Sequence, residues 1–323
     1  MTTDTLTATT MTVPKSATQS KPLLHGIVPP MVTPLLDRDT LDVEGLERLV
    51  EHLIAGGVAG LFILGTTGEA PSLSYRLRRE LIERTTELVK GRVPVLVGIT
   101  DTSFVESVAL AKFSADCGTQ AVVTSAPFYF AAGQPELSEY IEHLVAALPL
   151  PLFLYNMPAL TKVSFELETV KRALDIEGII GMKDSSGDMI YFHRLLELSK
   201  QRPDWSILIG PEELTPEAVL LGGHGGVNGG ANLHPRLYVD LYEAAAAQDL
   251  PCVRQLHAEV MKLAGSIYTV GKHRSALIKG LKCALSLMGI CNDAMAEPFQ
   301  SFREPERERI RERMIALGLQ PKK

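Results

Sequence analysis

Eight short apolar runs, spaced as one repeating unit, limit what this chain can fold into more than any other feature. They lie at 27–33, 60–64, 93–99, 121–124, 150–155, 179–183, 206–210 and 225–228. Corresponding points (Ile27, Leu61, Val95, Val122, Leu152, Ile179, Ile207, Val227) are 34, 34, 27, 30, 27, 28 and 20 residues apart. That is the length of a strand plus a helix. The runs are apolar almost throughout, as strands of a parallel sheet covered on both faces must be. Between them the period changes to that of a helix. Val43–Ala55 sets Val43, Leu46, Leu49, Val50 and Leu53 on one stripe, with Asp42 placed to cap its first turn. Residues 74–89, 136–148 and 165–174 repeat the pattern.

Eight βα units predict an α/β fold, a closed (β/α)8 barrel of the TIM type. A doubly wound open sheet is the competing architecture. It calls for a glycine-rich turn after the first strand, where this chain has Pro29, Pro30 and Pro34. Past residue 235 the apolar runs stop, and 235–247, 250–270, 272–289 and 304–317 read as helices. The expected organisation is therefore a leader over 1–24, a barrel core over 25–234, and the last barrel helix with a helical extension over 235–323. The leader holds eight threonines and no arginine in its first 25 residues. It lacks the apolar stretch of a secretory signal and reads as disordered.

Composition removes other classes. No run of eighteen apolar residues exists, so no membrane-spanning helix is expected. The 32 basic and 38 acidic residues give a net charge of −6, which argues against a general nucleic-acid binder. The stretch 303–313 is densely charged, but its signs are mixed and it reads as a solvated helix face. Cys117, Cys252, Cys283 and Cys291 show no metal-ligand spacing, and reduced thiols in a cytoplasm are expected.

In an α/β barrel the reacting groups stand where strands end and loops begin. Lys183 follows Ile-Ile-Gly-Met and should project into or above the dry barrel interior. A lysine kept neutral there is a nucleophile toward carbonyls and can form a Schiff base. A structural ion pair with Asp184 or Glu69 fits its position equally well. Tyr155, one strand earlier, tips the choice, because its phenol can converge on Lys183 and shuttle a proton. Thr66 and Thr67 sit between glycines in a tight turn whose hydroxyls and amides can hold a carboxylate. Glu69, next in that segment, is expected to cap the following helix. Glu212 and Glu213 end the seventh run. As acceptors they suit sugar hydroxyls, and as acids they also suit a helix start. Asn228 and Gly229 lie in the glycine-rich eighth loop, where a ligand can approach closely.

Three segments together, Gly65-Thr66-Thr67-Gly68-Glu69, Tyr155-Asn156-Met157-Pro158 and Gly181-Met182-Lys183-Asp184, make the chain resemble the dihydrodipicolinate synthase/N-acetylneuraminate lyase family of class I aldolases over about 24–318. The resemblance implies that Lys183 forms an imine with pyruvate or another 2-oxo acid. It implies that Thr66 and Thr67 hold the carboxylate, and that Thr67, Tyr155 and Tyr129 relay protons, Tyr129 across a subunit interface. It implies a homotetramer and no metal or organic cofactor. Synthases of the lysine pathway carry an arginine two residues after the proline of the second motif, and here that position is Leu160. Together with the Glu212-Glu213 pair, this points to a hydroxylated 2-oxo acid of the 2-keto-3-deoxy sugar-acid or sialic-acid type, with an aldehyde or sugar acid as the second substrate. The sialic-acid lyases have a serine near Gly230 that is absent here. A synthase condensing pyruvate with aspartate semialdehyde is the alternative. A barrel that binds a 2-oxo acid without turnover is the alternative of another class.

Overall fold

The computed structural model describes residues 24–322. The leader expected over 1–24 lies, Leu24 apart, outside the described residues.

Eight parallel strands form the centre: β1 (Gly26–Ile27), β2 (Leu61–Ile63), β3 (Val95–Gly98), β4 (Ala121–Ser125), β5 (Leu152–Asn156), β6 (Ile179–Asp184), β7 (Ser206–Ile209) and β8 (Gly225–Gly226). The order runs β1-β8-β7-β6-β5-β4-β3-β2. The two ends of this order meet. Pro30 bridges Phe62, the Met31 N–H donates to the Phe62 carbonyl (2.8 Å), and the Phe62 N–H donates to the Pro29 carbonyl (3.0 Å). The sheet is therefore a closed barrel, with no edge left open. Each expected run overlaps a strand, and the strands are two to six residues long. β1 stops at Ile27, early in its run, because Pro29 and Pro30 have no N–H to give to a ladder.

Side chains separate into two apolar bodies. Val28, Phe62, Leu96, Val123, Phe153, Leu208 and Val227 fill the barrel interior. A larger body, including Ile63, Val97, Leu154, Ile207 and the helix stripes, fills the layer between strands and helices. Each such buried Leu, Ile or Phe contributes roughly 1.5–3 kcal/mol. The helix Val43–Ala55 forms as expected. Its cap Asp42 accepts from the Gly45 N–H (2.8 Å) and, with its other oxygen, from the Asn292 N–H (2.8 Å). That second bond ties the C-terminal extension to the first barrel helix.

The extension consists of Leu250–Ile267, Ala276–Leu287 and Glu304–Ala316. The middle helix buries Leu281, Ala284 and Leu285. It also buries a cation. Lys282 is fully enclosed and donates to Glu69 Oε1 (2.8 Å), whose other oxygen accepts from the Ala296 N–H (2.9 Å). The expectation that Glu69 caps the following helix is thus corrected. Glu69 makes no capping bond; its carboxylate is committed to the extension. No described helix is long and apolar enough to cross a membrane.

Candidate active site

Parallel pairing of β5 with β6 sets Tyr155 directly opposite Lys183. Both belong to the positions that point into the barrel. Gly181, two residues before Lys183, permits the close pairing there: a Cβ on it would run into the Ser206 carbonyl and the Phe153 ring. Lys183 Nζ lies 4.0 Å from the Tyr155 ring centroid and 5.2 Å from that of Phe62. Both carboxylates that could have paired with it are engaged elsewhere. Glu69 holds Lys282. Asp184 turns away from the interior, where its Oδ1 accepts from Asn156 Nδ2 (2.8 Å) and its Oδ2 from Ser186 Oγ (2.9 Å). Among the described residues Lys183 has no carboxylate partner.

Two opposing effects act on the Tyr155 phenol. Burial, the larger single influence, favours the neutral form. The Lys183 charge and the side chains of Thr66, Ser185 and Lys183 favour the phenolate, and together they hold the group below its usual value. A phenol eased in this way gives and takes a proton more readily near neutral pH. Of the two threonines expected here, Thr66 acts on the phenol. Thr67 is buried beside it and shares the cavity wall. Ser185 went unnoticed in the sequence, because a serine beside a lysine carries no signal of its own.

Lys183 and Tyr155 stand at the floor of a cavity of about 310 Å³. Thr66, Thr67, Leu160, Glu212, Glu213 and Gly229 line it, together with Arg274, which the sequence did not suggest. Leu160 sits in a four-residue helical turn, Pro158–Thr161, after β5, and it also lines an adjoining cavity of about 240 Å³.

The remaining expected residues differ in what they face. Glu212 is buried. Its Oε1 accepts from Tyr238 OH (2.7 Å) and Tyr268 OH (2.9 Å), and its Oε2 from the Gly230 N–H (2.8 Å). Burial outweighs these three donors and pushes its carboxyl up to about 7. Glu212 is thus largely taken up by the wall, and the Glu213 side chain is the freer acceptor. Asn228 does not line the cavity. Its amide donates to Thr215 Oγ1 (3.0 Å) and the Gly210 carbonyl (3.3 Å), which braces the loops after β7 and β8. Tyr129 stands apart as well: it is 97% exposed, with φ at +76°, and within one chain it does not line the cavity. No group of three or more His, Cys, Asp or Glu side chains is arranged to hold a metal among the described residues.

The model of the dihydrodipicolinate synthetase family matches residues 23–316. The chain belongs to that family. Its members are lyases of the class I aldolase type, and so is this enzyme. A 4-hydroxy-tetrahydrodipicolinate synthase of Methanopyrus kandleri is 32% identical over 92% of this chain and 98% of its own length. An Escherichia coli K12 relative, named as a probable 2-dehydro-3-deoxy-D-pentonate aldolase, is 30% identical over 92% of this chain and 98% of its own. Among solved structures, a dihydrodipicolinate synthase of Bacteroides thetaiotaomicron is 58% identical with a TM-score of 0.89, covering 92% of this chain and 99% of that one.

Proposed function

We propose that Lys183 attacks the carbonyl carbon of a 2-oxo acid and, with loss of water, forms an imine. The protonated imine then draws electrons from the adjacent carbon. In the cleavage direction Tyr155 takes the proton of the hydroxyl two carbons from the imine carbon. The carbon–carbon bond breaks, an aldehyde leaves, and the pair of electrons rests in an enamine. Protonation of the enamine and hydrolysis return the 2-oxo acid and the free lysine. Condensation is the same path reversed. Thr66 and Thr67 hold the carboxylate next to the imine carbon, and Thr66 also adjusts the Tyr155 proton. The observation that carries this reading is the Lys183–Tyr155 pair free of any carboxylate.

The substrate we assign is pyruvate plus an aldehyde, joined as a hydroxylated 2-oxo acid of the 2-keto-3-deoxy sugar-acid type. Leu160 in the loop after β5 and the Glu213 carboxylate in the cavity wall support it, one by leaving an apolar surface and the other by offering an acceptor to hydroxyls. The likeness to the Escherichia coli aldolase agrees with it. The test is pyruvate release from 2-dehydro-3-deoxy-D-pentonate, run beside condensation of pyruvate with aspartate semialdehyde. Cleavage well above condensation supports the assignment; the reverse supports the synthase reading, which the 58% identity to the Bacteroides enzyme favours. Imine formation with no turnover of either would leave the non-catalytic barrel.

We also propose a homotetramer. Tyr129 and Phe130, 97% and 83% exposed on the loop after β4, are aromatic surface that an interface would cover, and Tyr129 is the residue a partner's site would receive. The four free cysteines suit a cytoplasm.

A further inference from the structure

The loop before the helix Ala276–Leu287 carries three successive basic residues, Lys272, His273 and Arg274, and the fold divides them. Lys272 and His273 face a separate hollow against the start of the last helix. Arg274 alone of the three lines the cavity that holds Lys183 and Tyr155. Among the described residues no ion pair or hydrogen bond ties its guanidinium to the protein, and its side chain is exposed.

Exposed arginines without such a partner, Arg38, Arg172 and Arg194 among them, occur elsewhere on the surface, and what sets Arg274 apart is its place in the wall of the Lys183 cavity. Arg78, Arg202 and Arg307, which are less exposed, are each paired with an aspartate. In the cavity the other charged groups have uses. Lys183 is consumed as the imine, Glu212 is held by two tyrosines and a backbone N–H, and Glu213 offers an acceptor to hydroxyls. The carboxylate next to the imine carbon is taken by the threonine turn. What remains is a guanidinium at the cavity wall with no internal anion. Its planar fork matches a carboxylate bidentately, which no lysine or hydroxyl in the cavity can do. Leu160 leaves the loop after β5 without a cation in that wall; the nearby Lys162 is exposed and donates to the Ala159 carbonyl (3.0 Å) instead.

We propose that Arg274 is a specificity-determining residue that receives a carboxylate at the end of the substrate far from the imine. Within the sugar-acid class proposed above, the enzyme accordingly prefers substrates whose far end is a second carboxylate to those that end, like the pentonate, in a hydroxyl. This rests on the imine reading of Lys183 and adds to it the chemistry of the distal end.

The test compares two aldehydes in condensation with pyruvate: succinic semialdehyde, whose far end is a carboxylate, and glyceraldehyde, whose far end is a hydroxyl. Arg274→Ala is expected to lower the ratio of kcat/KM for the acid over that for the neutral aldehyde by about tenfold to a hundredfold, chiefly through KM for the acid. Arg274→Lys keeps the charge without the fork and is expected to fall between. Equal effects on both aldehydes, no effect on either, or no condensation of the wild-type enzyme with succinic semialdehyde overturns the proposal. Borohydride trapping of pyruvate on the wild-type enzyme separates the two layers. Failure to trap contradicts the imine reading, whereas trapping with an unchanged ratio contradicts only the role of Arg274.

Discussion

Lys183 and Tyr155 are paired across the β5–β6 ladder, with Lys183 Nζ 4.0 Å from the centroid of the Tyr155 ring. The relationship is fixed by backbone register rather than by a flexible loop. A one-residue slip would turn either side chain out of the barrel. The nucleophile and its proton carrier are therefore held by the same hydrogen bonds that close the fold.

Removing the phenol tests that pairing. Tyr155→Phe keeps the ring over Lys183 and deletes only the hydroxyl. General acid–base catalysis is worth about 10²–10⁴-fold. Steady-state kcat is expected to fall by that order, while circular dichroism and the melting temperature stay close to wild type. A kcat within about twofold of wild type would remove Tyr155 from the proton path.

Thr66 and Thr67 are adjacent in the cavity wall, and Thr66 is among the groups that hold the phenol below its usual value. Thr66→Val is expected to lower kcat and to move the alkaline limb of the kcat profile upward, since one group favouring the phenolate is lost. Thr67→Val is expected to act mainly on KM for the 2-oxo acid. Profiles of kcat against pH for the two variants distinguish them; indistinguishable shifts would deny the separate roles.

Glu212 gives a stability signature. Its carboxyl is raised in the folded protein to about 7, from an ordinary value of 4.5, because burial disfavours the anion. A raised group holds its proton more tightly when folded than when unfolded. Its contribution is complete below about pH 4.5 and is lost as pH climbs through about 7. Glu212→Gln mimics the protonated acid and does not titrate. Over that window the wild-type melting temperature is expected to fall relative to the Glu212→Gln variant. Parallel curves across the window would mean that Glu212 is ionised throughout.

The wholly buried Lys282–Glu69 pair joins the extension to the barrel. Lys282→Met strands the carboxylate, and a buried charge left alone costs about 3–5 kcal/mol. Chemical denaturation should show a loss of that order. Lys282→Met combined with Glu69→Gln should lose less, since no charge is stranded. A double variant as unstable as the sum of the two single variants would show that the two side chains act independently.

Much of this was legible in the sequence. The strands could be placed because parallel strands buried on both faces leave unbroken apolar runs, and Val43–Ala55 because its stripe and cap agree. Lys183 could be found because a cation at the end of such a run needs a reason. The misses have physical causes too. Pro29 and Pro30 shorten β1 although the run around them is apolar. Lys282 sits in a helix stripe where a cation usually marks the solvent face, and its partner Glu69 is 213 residues away. Asn228 was expected in the cavity by its neighbourhood, but an amide has four hydrogen-bonding options, and the Thr215 and Gly210 groups nearby take it up. Arg274 lies in a loop whose register nothing periodic sets, so only the folded cavity singles it out from Lys272 and His273.

The most direct test of the account is reduction with borohydride in the presence of pyruvate, followed by intact mass measurement and peptide mapping. The account expects one reduced pyruvyl group per chain, on the peptide containing Lys183, and neither adduct nor turnover in Lys183→Ala. An adduct on another lysine, or normal turnover by Lys183→Ala, would contradict it.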